Sequence, residues 1–193
     1  MAADHGYDRS ASYWTGPGRG WLAELELPAA SREIVTGCLA VIDGLAPLTG
    51  RIDGELRTRA KADPRVKTLT TLPGAVQFTA LVMLAEIGDI TRFPSARKLA
   101  SWAGLTPTVR GSDLHVRHGH ISKQGSVWLR WVLNQAAQTA KRSPEFAPAY
   151  SSIAKRRGKK IATIAISRKL LTRAWHLLSE MQAADADKPP RRS

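Results

Sequence analysis

One cysteine, Cys38, is all that this 193-residue chain carries. That excludes an internal disulfide framework and suits a reducing compartment. Acids are scarce as well, with 16 Asp and Glu against 29 Lys and Arg and a formal net charge of +13. No uninterrupted apolar run reaches the roughly 18 residues a membrane span needs. The start, Met1-Ala2-Ala3-Asp4-His5, lacks the basic-then-apolar order of a signal peptide. A cytoplasmic protein without a membrane partner is therefore expected. Hydrophobic residues at 43% exclude global disorder. The length fits one medium domain or a small domain with an appendage.

The positive charge is concentrated. Residues 1–64 hold 7 basic and 9 acidic side chains, whereas residues 65–193 hold 22 basic and 7 acidic. Between Arg92 and Arg173 there are 17 basic residues and two acids, Asp113 and Glu145. A surface that basic favours a polyanion, and nucleic acid is the commonest one in a cytoplasm.

Periodicity predicts a mainly α chain: a helical arm, then an all-helical domain with one extended loop or short hairpin. Residues 1–30, with Trp14-Thr15-Gly16-Pro17-Gly18, read as an irregular lead-in holding a short helical piece around Trp21–Leu27. A helical, coiled-coil-like arm follows over residues 31–63. Val35, Cys38, Ile42, Leu45, Thr49, Ile52 and Leu56 recur at alternating steps of three and four, the seam spacing of a coiled coil or helical hairpin. Gly37, Gly44, Gly50 and Gly54 weaken such a helix by about 1 kcal/mol each, and Pro47 should kink or split it near Ala46. The arm either mediates dimerisation or packs on its own domain.

Residues 64–182 form the second region, and residues 183–193 read as a disordered tail. An apolar stretch, Val66 to Leu72, meets Pro73-Gly74. A helix is predicted from about Phe78 to Ile87, and another from Ala96 to Ala103 capped by Ser95. The string LPGAVQFTALVMLAEIGD resembles a helix-hairpin-helix DNA-binding element. There a Pro-Gly-x-Gly turn aims the first N–H groups of the next helix at a phosphate. Gly74 keeps the first glycine of that turn, and Val76 replaces the second. Phosphate contact and a purely structural hairpin both remain open.

Residues 105–121, LTPTVRGSDLHVRHGHI, alternate and carry three of the five histidines, His115, His118 and His120. One strand rarely supplies a whole metal shell, so a basic loop touching phosphates is preferred to zinc. Beyond Ser122 the chain reads as helical: about Gly125 to Arg142, then a helix opened by Ser143-Pro144-Glu145 and ended by Lys155-Arg156-Arg157-Gly158-Lys159-Lys160, then Ile161 to about Met181. Tryptophans at helical spacing, Trp128 and Trp131 among them, read as core in preference to base-stacking platforms.

Three strings in order carry a family resemblance: LPGAVQFTALVMLAEIGDITRFPSARKLASWAGLTP, RGSDLHVRHGHISKQGSVWLRWVL and RRGKKIATIAISRKLLTRAWHLL. Together they closely resemble the C-terminal domain of transposases of insertion sequences 110, 116 and 902, the DEDD-type group related to the pilin-gene invertase. The resemblance implies a DNA recombinase with a nucleophilic serine in this domain, and that serine falls on Ser112. It implies DNA and a structured guide RNA as partners, while the arm points to a homo-oligomer or a mixed oligomer with a full-length transposase. It also implies a preceding ribonuclease-H-like domain whose acidic quartet holds divalent metal. No such quartet is legible here, so no metal or other cofactor is expected in this chain, which reads as truncated and inactive alone. A non-catalytic nucleic-acid-binding remnant or regulator is the alternative.

Chemistry at Ser112 needs cations to stabilise the phosphorane-like transition state and a group to take the hydroxyl proton. Arg110, Arg117 and Lys123 are near in sequence, and Asp113 and His115 are candidate acceptors. Ser122 and Ser126 are rivals for the nucleophile, Ser122 standing where an N-cap is expected and Ser126 in the first turn. The nucleic-acid-binding set comprises Gly74, Arg110, Arg117, His118, Lys123, Arg130, Lys155, Arg156, Arg157, Lys159 and Lys160.

Overall fold

The computed structural model describes Tyr13 and residues 16–112 and 115–186, with backbone alone over 109–118. The described residues form eight α-helices, one 3-10 turn and a two-stranded antiparallel hairpin, in agreement with a mainly α chain. They divide into two compact units, one through Gly54 and one from Glu55.

In the first unit, α1 (Gly16–Glu24) is followed by the start of α2 (Ala29–Ala62). Helix therefore begins within the stretch expected to be irregular. Pro17 is tolerated there because the N–H it lacks has no intrahelical partner in a first turn. Arg32 fastens the two helices, donating to the Leu22 carbonyl at 2.8 Å and to the Leu25 carbonyl. Arg19 pairs with Asp43 at 2.7 Å. Pro47 lies inside α2 without splitting it near Ala46, so of the expected kink or split the split does not occur.

The apolar seam of α2 also differs in register from the predicted one. Ile34, Cys38, Val41, Leu45, Leu48 and Ile52, at steps of four and three, are all exposed. The large hydrophobics among them are 47–63% accessible. Val35, Ile42 and Leu56 of the predicted seam are half-buried instead. By length and composition alone α2 is long and apolar enough to cross a membrane, with an 18-residue window of mean hydropathy 1.3. Counting uninterrupted runs missed this window, because Asp43 and the glycines interrupt it.

The second unit is built around α8 (Lys159–Ala186). Against it pack α3 (Pro64–Leu69), α5 (Ala96–Trp102), α6 (Val127–Ala140), α7 (Ala147–Arg157) and the 3-10 turn Ile90–Arg92. The helix α4 (Gln77–Ile87) packs on α3 and α6. Ile166, Leu170, Leu171, Ala174 and Leu178 recur at helical spacing on α8 and are buried with Leu69, Met83, Ile87, Leu99, Leu129 and Leu133. At 25 cal/mol per Å² of apolar surface, the Leu, Ile and Met side chains among them stabilise by about 1.5–3 kcal/mol each. Trp175 reaches across this core, its indole N–H donating to the Phe93 carbonyl at 3.0 Å.

Caps explain most of the boundaries. Asp63 accepts from the Arg65 amide at 2.9 Å and pairs with its guanidinium at 2.7 Å, while Pro64 opens α3. Ser95 caps α5 as predicted. Ser126, rather than Ser122, caps α6 by accepting from the Leu129 amide at 3.1 Å. The segment Ser143-Pro144-Glu145 is a turn ahead of α7 and not its cap. Ser143 donates back to the Ala140 carbonyl at 2.8 Å, and Pro148 takes the first-turn position. The turn expected at the basic run is confined to Gly158 (φ +88): α7 ends at Arg157 and α8 begins at Lys159. The last helix reaches Ala186, into the expected tail, and residues 187–193 lie outside the described residues.

The Arg65 guanidinium hydrogen-bonded to Asp63 holds that carboxyl below its ordinary value. A lowered folded pKa stabilises fully above the unfolded carboxylate value and fades as pH falls through the folded one. Replacing Asp63 by Ala should therefore cost about 1 kcal/mol at neutral pH. In thermal melts, the gap to the wild type should close on acidification below the usual carboxylate range.

Candidate nucleic-acid interface

Strands β1 (Pro107–Ser112) and β2 (His115–Ile121) form the predicted hairpin, and the loops at its base are clasped backbone to backbone. Gly104 (φ +71) and Gly125 (φ +75) stand where only glycine fits. A Cβ on Gly104 would meet the Gln124 carbonyl oxygen at 2.2 Å, and one on Gly125 the Trp102 carbonyl oxygen at 2.1 Å. The Lys123 amide donates to the Gly104 carbonyl at 3.2 Å and the Ser122 amide to the Thr106 carbonyl at 2.9 Å. Arg130 closes the clasp. Its guanidinium donates to the carbonyls of Ala103, Gln124 and Gly125 at 3.2, 2.6 and 3.1 Å. Arg130, expected at the nucleic-acid surface, is thus occupied as a strut beneath it.

Between the clasped base and the α7–α8 corner lies a groove of about 510 Å³. Leu105, Ile121, Ile161 and Ile164 give it apolar walls, and Lys123, Arg157, Lys160 and Arg168 supply its cations. His120 lies beside them, and no carboxylate is among the described lining residues. Among the described residues, none of those four cations forms an ion pair with an acid. Lys123 adopts φ +57, a left-handed conformation disfavoured for a residue with a Cβ. A second cleft, of about 380 Å³, continues from the first through Lys160 and Ile164 and adds Lys141 and Lys159.

The corner itself is electrostatically unfavourable in isolation. Lys155, Arg156 and Arg157 sit in the last turn of α7, where the carbonyl end of the helix welcomes cations. Lys159 and Lys160 sit in the first turn of α8, whose exposed N–H groups repel them. Five cations in six residues, two of them at the wrong helix end, concentrate positive charge at this corner. Lys155 and Arg156 are exposed near the groove without lining it.

The hairpin register sorts the remaining candidates. Arg110 pairs with Arg117 and Ser112 with His115, so these four positions share one face of the ladder. Val109 pairs with His118 and Gly111 with Val116 on the other face, which separates His118 from Ser112. The side chains of Arg110, Ser112, His115, Arg117 and His118, and Asp113 altogether, lie outside the described residues. Ser112 is five residues from Pro107 at the groove, about 17 Å of extended strand. Of the rival serines, Ser126 is spent as a cap, and the Ser122 hydroxyl is buried without a hydrogen-bond partner among the described residues.

Gly74 takes φ +78 at the α3–α4 turn, where a Cβ would lie 2.3 Å from the Ala136 carbonyl oxygen. Close packing on α6 is enough to require glycine there. Val76 is the exposed N-cap position of α4 and lends no side-chain hydrogen bond. Among the described residues no three of His, Cys, Asp and Glu gather to hold a metal, so these residues do not fit a two-metal centre. One groove cation, Arg168, escaped the sequence reading. Its signal is the spacing Lys160, Ile164, Arg168, one helical face of α8.

Residues 66–151 match the sequence model of the Transposase IS116/IS110/IS902 family. The transposase for insertion sequence element IS1111A of Coxiella burnetii is 30% identical over 138 residues, covering 69% of this chain and 38% of the relative. The pilin gene-inverting protein of Moraxella bovis is 31% identical over 149 residues, covering 74% of this chain and 46% of the relative. An insertion element IS110 protein of 43.6 kDa from Streptomyces coelicolor is 31% identical over 108 residues, covering 56% and 27%. The chain spans between about a quarter and a half of the length of the curated relatives it matches. The matched stretch contains the clasp, the hairpin and α6, and it is over residues 66–151 that this chain matches the IS116/IS110/IS902 transposase family.

Proposed function

We propose that this chain is the DNA-gripping, serine-bearing part of a transposase, holding nucleic acid in the basic groove and presenting Ser112 to a phosphodiester. The observation that carries the reading is the groove, which converges Lys123, Arg157, Lys160 and Arg168 beside the base of the strand that bears Ser112. In the strand-transfer step the Ser112 oxygen bonds to phosphorus, one P–O ester bond breaks, and the leaving sugar oxygen takes up a proton. Arg110 and Arg117, on the same ladder face, are the cations able to stabilise the added negative charge. His115, paired with Ser112 in register, is the proton acceptor of choice. Metal chemistry belongs to the ribonuclease-H-like domain expected of the family, supplied by a longer polypeptide or a partner chain. Alone, the chain is inactive.

The test mixes this chain with a full-length relative whose own serine is replaced by Ala. A covalent DNA adduct is expected on this chain, mapped by mass spectrometry to Ser112 and abolished by Ser112→Ala. If no adduct forms while the mixture still binds DNA, the chain is a non-catalytic binding module or regulator. Guide RNA binding belongs to the same reading and rests on the same basic surface.

Mixed oligomers with such a relative, or homo-oligomers, are favoured by one specific observation. The exposed seam Ile34, Cys38, Val41, Leu45, Leu48 and Ile52 keeps a strict heptad step, which leaves a narrow stripe to be covered by a second helix. A membrane span is apolar on all sides, whereas α2 carries Asp43, Arg51 and Asp53 among its exposed residues.

A further inference from the structure

Sequence reasoning placed the tryptophans of α6 in the core, and the structure corrects this. Trp128 is 64% exposed and Trp131 46%, while Phe78 at the start of α4 is 46% exposed. The three rings form a cluster: Phe78 and Trp131 lie 6.4 Å apart at 79°, and Trp128 and Trp131 lie 6.1 Å apart at 89°. A perpendicular contact occupies the face of only one of its two rings. Two such contacts therefore leave most ring faces of the trio open. Val76 and Val127 extend the patch, both exposed.

We infer that this cluster is a stacking platform for unpaired nucleobases, distinct from the groove that grips the backbone. The inference rests on the reading of this unit as a nucleic-acid binder and adds to it the strandedness of the ligand. Charge identifies the occupant. The patch and the whole of α6 lack a carboxylate, in a region of 17 basic residues and two acids between Arg92 and Arg173. Beyond the tryptophans, the exposed face of α6 continues through Gln135 to Arg142, an amide and a guanidinium suited to base edges and phosphates. The chain also passes from Lys123 at the groove to Trp128 in five residues, so one bound strand can engage both. Indole faces accept any base, which suits strands opened during recombination or the unpaired stretches of a structured RNA. A protein docking on the same rings is the competing occupant.

The test uses the full chain, Trp128→Ala, Trp131→Ala and the conservative Trp128→Phe. Anisotropy reads binding to three probes: a thymidine 20-mer, a 20-base-pair duplex, and a 20-mer of abasic sites with the same phosphates. Each Ala variant is expected to bind the thymidine strand about ten-fold more weakly. Duplex affinity should hold within about two-fold, and Trp128→Phe should retain most of the single-strand affinity. The wild type should bind the abasic strand no better than the Ala variants bind the thymidine strand. All three substitutions are at exposed helix positions, and thermal melts check that the fold is kept. Unchanged single-strand affinity, or equal loss on duplex and single strand, overturns the platform while leaving the groove standing. So does a change in oligomeric mass with intact oligonucleotide binding, which assigns the rings to a protein contact. Absence of binding to duplex and single strand alike overturns both the platform and the underlying reading.

Discussion

Replacing Lys123, Arg157, Lys160 and Arg168 together by Gln is expected to lower duplex affinity roughly a thousand-fold near 0.1 M salt. It should also flatten the dependence of log affinity on log salt by about 3.5. Each phosphate neutralised by a cation releases condensed counterions and contributes about −0.9 to that slope. The four side chains line one groove without acidic neighbours, so their contributions should accumulate on a single bound strand. A comparison within the same basic run sharpens the point. Lys155 and Arg156 belong to the α7 end but do not line the groove. Replacing that pair should flatten the slope by less than replacing Arg157 and Lys160, although the net charge removed is equal. Equal effects from the two pairs would mean that total charge, and not the groove, governs binding.

Gly125→Ala is expected to be among the most damaging single-methyl changes in the second unit, alongside Gly104→Ala. The added Cβ would meet the Trp102 carbonyl oxygen at 2.1 Å, and the backbone is held at φ +75. Left-handed strain alone costs about 1–2 kcal/mol. A clash with backbone that Arg130 and the Gly104 loop hold in place adds to it. A loss of about 3 kcal/mol or more, and a melting temperature lower by roughly 10 °C, should follow. Gly158→Ala supplies the contrast: its φ is +88, but nothing lies within 4 Å of the new Cβ. That variant should carry only the conformational cost of a backbone at φ +88 and ψ 157, a region essentially reserved for glycine, about 1–3 kcal/mol. Because Gly125 clasps the hairpin base, its substitution should also weaken DNA binding under conditions where the protein is still folded. Equal melting temperatures for the two variants would contradict the clasp.

How much of this was legible in the sequence depends on what each residue's environment required. The helices α4 and α5 followed from local signals that the tertiary structure keeps, an apolar run ending at Gly88 and the cap at Ser95. The start of α6 was expected at about Gly125, within two residues of Val127, but its cap was placed four residues early, since Ser122 and Ser126 are equally good caps in isolation. The choice between them is made by Gly125 and Arg130, whose contacts are non-local. The seam of α2 slipped because Val35 and Ile34 offer alternative heptads of similar quality, and only observed burial separates them.

The candidate site divides in the same way. The basic run from Lys155 to Lys160 was visible as composition. Its conversion into a groove required the turn at Gly158 and the hairpin base beside it. Arg130 read as one more surface cation, yet three carbonyls claim it. The exposed tryptophans were missed because helical spacing says which residues share a face but not which face is covered.

The measurement that bears most directly on the account is a crosslinking map of the wild-type chain on DNA. A duplex carrying photoreactive thymine analogues would be bound at low salt and irradiated, and the linked peptides identified by mass spectrometry. Crosslinks are expected on the hairpin and its base, residues 107–123, and on the α7–α8 corner, residues 155–168. Crosslinks confined to α2, with the hairpin and the corner unlabelled, would contradict it.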